Sequence, residues 1–158
     1  MERYKAVFSA FKTMTQIDRQ NLNRLVREVA DALDEAKSIV SMDIDKFSVD
    51  RRARYSLRYS VVVVVEALAD LSVAILEKDF SEDVESYREA FLKLTNHGVI
   101  SFKASQNMAK LASLRNQIVH RYWTIDDLRI YKEAKENGLG TIERFIKEMT
   151  DYVETKDP

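Results

Sequence analysis

The sequence predicts an all-α fold, an up-and-down bundle of about five to six helices. Its 158 residues include three glycines and one proline, and that proline is the last residue. Because glycine and proline are the strongest turn signals, a chain with so few of them favours long helices joined by short connections. Hydrophobic residues make up 46% and charged residues 32%, which suits amphipathic helices around one core. The length is enough for a single domain.

Composition and charge narrow the classes of protein to which this chain can belong. Cysteine is absent, so there is no disulfide framework and no thiol nucleophile, as expected in the cytoplasm. The N-terminus lacks the apolar core of a signal peptide, and the longest apolar run, residues 61–65, is too short to span a membrane. The net charge of −1 excludes a general polyanion binder, so any affinity for nucleic acid must come from a local patch.

The first helices follow from apolar spacing and capping residues. Tyr4, Val7, Phe8 and Phe11 are three or four residues apart and predict a short helix that either packs on its own core or docks a second chain. Asp18 can cap the next helix. Its apolar stripe consists of Leu22, Leu25, Val26, Val29, Leu33, Ala36 and Val40.

A loop is predicted at residues 41–48, and a second long helix follows it. Ser48 or Asp50 caps that helix, which runs to about Asp79. Residues 61–65 are all valine and favour a strand by propensity alone. Both flanks are helical in composition without glycine or proline, so we predict helix throughout, covered on several sides, for example by a partner chain.

The C-terminal half predicts four more helices. Ser81 and Asp83 open one that ends at Gly98, and the next spans residues 101–119. Thr124 and Asp127 resemble a capping box that starts another helix. Residues 137–140 (Asn-Gly-Leu-Gly) then break it, and Thr141 starts the last helix. The apolar stripe of that last helix is Ile142, Phe145, Ile146, Met149 and Val153.

The residues best suited to chemistry lie between Arg115 and Trp123. His120, one of two histidines, can move protons near neutral pH, and Arg115 offers a fixed cation for charge that develops on a phosphate. Asn116 and Tyr122 add an amide and a phenol. The segment therefore indicates phosphate chemistry. The alternative is structural, because a histidine near a helix C-terminus interacts favourably with the helix dipole without any other role.

Helix geometry limits how these side chains can meet. An ideal helix turns ~100° per residue, so Arg115 and His120 point about 140° apart, whereas Asn116 and His120 share a face. Arg115 and His120 can grip one phosphate only if the helix ends near His120, or if two chains pair about a twofold axis. Tyr122 also needs the helix to end there in order to join His120.

Residues 114–126 resemble the signature of HEPN domains, in particular the HepT-like branch. The family pattern is Arg, four residues, His, one residue, Tyr. Arg115, His120 and Tyr122 fill it, with the polar Asn116 directly after the arginine. The resemblance extends upstream into residues 66–70, 86–91 and 98–100. It covers most of the chain, so we assign residues 16–156 to the HEPN domain and residues 1–15 to an N-terminal amphipathic extension.

The resemblance implies a HEPN-like bundle that forms a homodimer, with the two motifs facing a shared cleft. It also implies a metal-independent RNA endonuclease that acts as the toxin of a toxin–antitoxin pair. The implied antitoxin is a minimal nucleotidyltransferase, which can transfer AMP to Tyr122.

RNA supplies its own nucleophile, the ribose 2′-hydroxyl, so this chemistry requires no metal, and we expect neither a metal nor a cofactor. His120 is the expected base or acid and Arg115 the expected phosphate clamp. Asn116 can hold His120 or contact a phosphate, and Tyr122 can bond the phosphate or stack on a base.

Charged residues outside the motif have two interpretations each. The basic patch formed by Arg51, Arg52, Arg54 and Arg58 is either a salt-bridged helix end or a rim that guides RNA, and Arg121 extends that rim. Glu66 and Asp70 share a helix face and are expected to support Arg115 or another cation, although a metal pair is conceivable. His97 beside Gly98 is expected to serve only as a helix cap.

A second function remains open at this point. A non-catalytic helical module that binds nucleotide, or that docks a nucleotidyltransferase and is AMP-modified on Tyr122, also accounts for the motif. The near-neutral charge favours this module, whereas the complete set of Arg115, His120 and Tyr122 favours the ribonuclease.

Overall fold

The computed structural model describes residues 19–156, with side chains described for residues 27–149, 151 and 152. A 3-10 turn (Tyr122–Thr124) precedes the sixth helix, and a wider π turn (Ala134–Gly138) makes the last two helices continuous. If these last two are counted as one, the described part contains six helices and no strand, which confirms the predicted all-α bundle. In chain order the helices are α1 (Arg19–Val40), α2 (Ile44–Val49), α3 (Arg51–Phe80), α4 (Tyr87–Asn96), α5 (Phe102–His120), α6 (Asp127–Glu133) and α7 (Leu139–Lys156).

The long helix α3 is the centre of the bundle and contacts α1, α4 and α5. The valine run is helical, as predicted, and Val64 and Val65 are buried. Among the described helices, α3 is the one whose length and hydropathy would also allow it to cross a bilayer. However, 61% of its most apolar window is buried inside the bundle, as expected of a core helix.

Buried apolar side chains form two clusters along α3. The larger one lies where α1, α4, α5 and α7 surround α3, and Phe91 packs edge-on against Phe145 with ring centroids 5.4 Å apart. The smaller one joins the first turns of α3 to α2, α6 and the end of α5, where it buries Ile118. The second cluster therefore holds the C-terminal turn of α5, which carries the motif, against the bundle.

The predicted loop at residues 41–48 is wrong, because it contains α2. Asp43 caps this helix, since its carboxylate accepts a hydrogen bond from the Asp45 amide at 2.8 Å. Phe47 is fully buried and packs against Tyr131, with ring centroids 4.9 Å apart. The local sequence is rich in loop-forming residues, but the burial of one phenylalanine stabilises a short helix there.

The predicted start of α4 at Ser81 and Asp83 is also wrong. Ser81 instead ends α3 in a left-handed conformation (φ 52°), and the Glu82 amide bonds the Leu76 carbonyl at 3.0 Å. That pattern is a helix C-terminal motif usually completed by glycine. Ser86 is the true N-cap of α4, because its hydroxyl accepts from the Glu89 amide at 3.1 Å.

The break predicted at residues 137–140 does not occur. The chain passes through them as a π turn in which the Leu139 amide bonds the Ala134 carbonyl. A Cβ on Gly138 would lie 3.3 Å from the Glu133 carbonyl oxygen, so the turn is tight where the glycine lies. Leu139 packs on both core clusters, which explains why the helix continues.

The remaining caps agree with the sequence only in part. Asp50 caps α3 and Gly98 has a positive φ of 74°, as predicted, and Ser101, where a helix was predicted to start, is the N-cap of α5. The helix after the motif is capped by Asp126 rather than by Thr124, whose hydroxyl bonds the Arg121 carbonyl. The expected cap at Asp18 and the amphipathic segment at residues 1–15 lie outside the described residues.

Candidate functional site

The motif lies where α5 ends. His120 is the last residue of α5, and Arg121 leaves helical geometry with φ −135° and ψ 45°. The 3-10 turn then presents Tyr122 and Trp123 to solvent, with 64% and 69% of their surfaces exposed. The sequence required α5 to end near His120 if Tyr122 was to lie on the same side as His120. The helix does end there.

Arg115 is held from three sides. Its Nε donates to Glu66 Oε1 at 3.1 Å and its Nη2 donates to the same oxygen at 2.5 Å. Its Nη1 donates to the Asn116 side-chain oxygen at 2.9 Å. The guanidinium also lies over the Tyr87 ring, 5.2 Å from the centroid. Only 18% of the Arg115 side chain is exposed, so the cation is fixed rather than free in solvent.

Of the two carboxylates expected to support a cation, Glu66 contacts Arg115, whereas Asp70 acts on Tyr87. Glu66 bonds Arg115 directly. Asp70 lies one turn further along α3, is exposed, and acts electrostatically on Tyr87. Burial raises the pKa of the Tyr87 phenol above its ordinary value, and Asp70 and Glu66 raise it further, whereas Arg115 lowers it. Tyr87 therefore remains a neutral phenol at physiological pH.

His120 is exposed, and its side chain makes no hydrogen bond within the described part of the chain. It lies at the C-terminal end of α5, beside the last carbonyls of the helix, which carry partial negative charge. Within one chain no hydrogen bond joins His120 to Arg115, since Arg115 is directed at α3. This agrees with their separation of about 140° on an ideal helix.

Tyr122 and Trp123 form an exposed aromatic pair next to His120. Their rings meet edge-on, with centroids 5.3 Å apart and planes at 83°. Val119, one turn earlier, is 41% exposed. Large exposed apolar side chains concentrated at one site are typical of surfaces that bind something else, such as a nucleobase or a second protein.

Arg54 and Arg58 belong to an ion-pair network rather than to an open rim. Arg58 binds Asp127 through Nε and Nη2, at 2.6 and 2.7 Å, and this bond raises the pKa of Arg58. Arg54 lies 3.4 Å from the same carboxylate and donates to the Ser48 carbonyl at 2.8 Å. Both arginines thus fasten α3 to α6 and α2, which supports the structural interpretation. Arg121, in contrast, is exposed.

Two contributors were missed in the sequence. Tyr87 lies under Arg115, and Asp127 forms ion pairs with two arginines. Their positions 28 residues before and 12 residues after Arg115 carry no local pattern that would reveal either contact. His97 caps α4 as expected, and it also bonds Glu82 at 2.6 Å and stacks on Phe80.

The part of the chain that the structure describes has no group of three His, Cys, Asp or Glu residues placed to hold a metal ion. The chemical groups at the site are therefore one imidazole, one fixed guanidinium, an amide and two exposed aromatic rings. Such a set can transfer protons, bind a phosphate and stack on a base.

Comparison with known proteins gives a family match. Residues 29–149 match the family described as ribonuclease HepT-like. A putative RNase from Archaeoglobus fulgidus is 28% identical over 100 residues, which cover 63% of this chain and 74% of the relative. A tRNA nuclease HepT from Aphanizomenon flos-aquae is 21% identical over 142 residues, which cover 90% of this chain and 96% of that one.

The fold also matches a solved structure. A Shewanella oneidensis HEPN toxin, tri-AMPylated and in complex with an MNT antitoxin, superposes with a TM-score of 0.73. The match covers 88% of this chain and 99% of the toxin at 20% identity, so it establishes the common fold.

Proposed function

The chain belongs to the HepT-like ribonuclease family, and on that basis we propose that it is an RNA endonuclease that acts as the toxin of a toxin–antitoxin pair. The family match bears out the ribonuclease class that the sequence resemblance implied. The observation that carries the proposal is the arrangement at the end of α5. An exposed His120 closes the helix, and a fixed Arg115–Asn116 pair lies just over one turn earlier. We expect it to act in the cytoplasm.

The proposed reaction uses the 2′-hydroxyl of RNA as the nucleophile. It attacks the adjacent phosphorus, the bond to the 5′ oxygen of the next nucleotide breaks, and the products are a 2′,3′-cyclic phosphate and a free 5′-hydroxyl. One proton must leave the 2′-hydroxyl and one must reach the departing oxygen. An exposed imidazole at neutral pH is suited to either transfer.

Arg115 would stabilise the negative charge that develops on the phosphate. Arginine has five N–H donors, and three of them serve Glu66 and Asn116, so two remain for phosphate oxygens. The contacts to Glu66 and Asn116 fix the guanidinium before substrate arrives, which reduces the reorganisation needed during the reaction.

A second copy of the chain would complete the site. Arg115 is directed at α3 and His120 lies at the helix end, so a partner related by a twofold axis can bring its own His120 towards this Arg115. Two motifs would also supply two imidazoles, one for each proton transfer. The exposed Val119, Tyr122 and Trp123 support a contact surface at this end of the molecule.

The proposed antitoxin is a minimal nucleotidyltransferase that transfers AMP to Tyr122. Support comes from the 64% exposure of Tyr122 and from the AMPylated relative in complex with an MNT antitoxin. An AMP group beside His120 would add bulk and negative charge at the site, so it would repel RNA.

The test is an RNA cleavage assay on the purified chain, with and without the partner nucleotidyltransferase, followed by intact-mass measurement. We expect cleavage by the chain alone, and His120→Ala should slow it at least 100-fold, the usual scale of general acid–base catalysis. His97→Ala is the matched control and should retain cleavage, because His97 lies against Glu82 and Phe80. If His120→Ala cleaves RNA as fast as the parent, the catalytic assignment is wrong.

A non-catalytic module is the second candidate, and one observation favours it. All three nitrogens of the Arg115 guanidinium already donate to protein oxygens, which leaves this group less available to a phosphate. In that case the chain would cleave no RNA, yet it would still bind the nucleotidyltransferase and gain AMP on Tyr122. The same assay and mass measurement separate the two candidates.

A further inference from the structure

A groove of about 880 Å³ lies between α5 and the continuous α6–α7 rod. Its floor includes apolar residues of α3, such as Leu57 and Val61. One end is formed by residues 124–126, directly after the exposed Tyr122–Trp123 pair. The polar and charged residues of its α5 wall are Lys103, Asn107, Lys110, Ser113 and Gln117. The groove therefore leads from the surface of the bundle to the segment that carries the motif.

The α5 wall belongs to an unusual stretch of sequence. The chain has 26 acidic residues among 158, yet residues 90–125 contain no Asp or Glu and five Lys or Arg. Although the net charge of the chain is −1, this stretch is locally basic. A stretch without acidic residues is a sequence signal for a surface that binds polyanions. This stretch lies on a different face from the arginine patch at the start of α3.

The lysines of this wall have no partner among the described residues. Lys103 and Lys110 are exposed and form no ion pair or side-chain hydrogen bond with any described residue. They lie seven residues apart on one face of α5, about 10 Å along the helix axis, and Gln117 continues the row. Arg54 and Arg58, in contrast, share an ion pair with Asp127.

The opposite wall is mixed. Arg129 and Arg144 are exposed and unpaired within the described residues, but Glu133 and Glu136 lie on the same wall. The α5 wall, with two lysines and no carboxylate, is therefore the side on which a negatively charged backbone is favoured.

We propose that the α5 wall of this groove binds the phosphodiester backbone of RNA and leads it to the motif. The inference rests on the proposed function, since it assigns the RNA track of the same site. Lys103 and Lys110 would contact phosphates, and Asn107, Ser113 and Gln117 would donate hydrogen bonds to phosphate or ribose oxygens. Contacts of this kind position a substrate without reading its sequence.

The test measures the affinity of the full chain for a 5′-labelled tRNA transcript by fluorescence anisotropy over a range of salt concentrations. All variants carry His120→Ala so that the RNA stays intact. Lys103→Gln/Lys110→Gln is compared with Lys46→Gln/Lys78→Gln, which removes the same charge from two other exposed lysines that pair with no described residue. We expect the first pair to weaken binding about tenfold at moderate salt and to reduce the slope of log affinity against log salt by about 1.5 to 2.

Equal affinity and equal slope for the two double variants would overturn the inference, as would a parent chain that binds no RNA. It would also be overturned if Lys103→Gln/Lys110→Gln lost affinity for the partner nucleotidyltransferase while RNA binding stayed unchanged, because the groove would then be a protein-docking surface. Cleavage by the chain that carries His120 is measured separately. If Lys103→Gln/Lys110→Gln selectively loses RNA binding but the chain with His120 cleaves no RNA, the groove binds RNA and the proposed nuclease activity is refuted.

Discussion

Arg115 donates two hydrogen bonds to one oxygen of Glu66, across 49 residues of sequence, and this contact fixes the cation of the motif to the central helix. The motif is thereby coupled to the core of the bundle through α3. Any change in Glu66 should alter both the stability of the fold and the position of Arg115.

Replacement of Glu66 tests this coupling. We expect Glu66→Ala to lower the free energy of unfolding by about 1 kcal/mol, a charged hydrogen bond reduced by solvent screening because 38% of Glu66 is exposed. RNA cleavage should fall at least tenfold as Arg115 loses its orientation. Glu66→Gln keeps a hydrogen-bond acceptor, so it should lose less stability and less cleavage activity than Glu66→Ala. Urea unfolding and initial cleavage rates measure the two effects, with the exposed Glu77→Ala as control. Equal cleavage by Glu66→Ala and Glu77→Ala would contradict the positioning role.

Tyr87 predicts a dependence of stability on alkaline pH. Burial, followed by Asp70 and Glu66, raises its pKa above the ordinary value of 10.0. The unfolded chain therefore loses this proton first, so the folded state should lose stability as the pH rises above 10. Tyr87→Phe removes this contribution. Urea unfolding between pH 8 and pH 11 should show a shallower alkaline decline for Tyr87→Phe, and parallel curves would refute the assignment.

Loss of the Arg58–Asp127 pair should lower the stability of the fold without weakening RNA binding. Its side chains are 19% and 12% exposed, so Asp127→Asn should destabilise the fold by about 2–3 kcal/mol, since two arginines would then face each other without their shared carboxylate. The exposed Asp34→Asn should change stability by less than about 0.5 kcal/mol.

The same network predicts that Arg54 and Arg58 do not contact RNA. Under conditions in which the double variant Arg54→Gln/Arg58→Gln stays folded, the salt dependence of its RNA binding should equal that of the parent. A flattened dependence would restore these arginines as an RNA-guiding rim.

Glu89 predicts a dependence of stability on acid pH. The Glu85 amide, then Lys93, lowers the pKa of Glu89 below its ordinary value of 4.5. The ionised carboxylate thus stabilises the start of α4 above that pH, and this stabilisation is lost as the pH falls through the lowered pKa. The difference in stability between the parent and Glu89→Gln should therefore shrink on acidification from pH 6 to pH 3. A constant difference across that range would show that the contact contributes nothing.

Ser81 predicts a stabilising substitution. It adopts the left-handed conformation (φ 52°) at the end of α3, which costs an L-residue more than glycine. Ser81→Gly should raise the free energy of unfolding by about 0.5–1 kcal/mol, after the greater backbone entropy of glycine in the unfolded chain is subtracted. Thermal or urea unfolding measures the gain. A loss of stability would mean that the serine side chain makes a contribution of its own.

Much of the fold follows from local information. The scarcity of glycine and proline, the cap at Asp50 and the helix start at Ser101 are local properties of the sequence, and the structure agrees with them. It also buries the predicted stripe of α7 at Ile142, Phe145, Ile146 and Met149. The errors fall at helix boundaries. There the choice between loop and helix depended on a distant contact, such as the burial of Phe47 against Tyr131.

The sequence by itself determined the class of bundle, the family and the residues of the motif, because helix-forming residues and a compact signature act over a few turns. Only the tertiary structure decided which charged groups are already neutralised. It pairs Arg115 with Glu66 and Arg58 with Asp127, and it leaves Lys103 and Lys110 exposed. The physical reason is that the state of a charge depends on the distance to its nearest partner in space, and in this bundle those partners come from other helices.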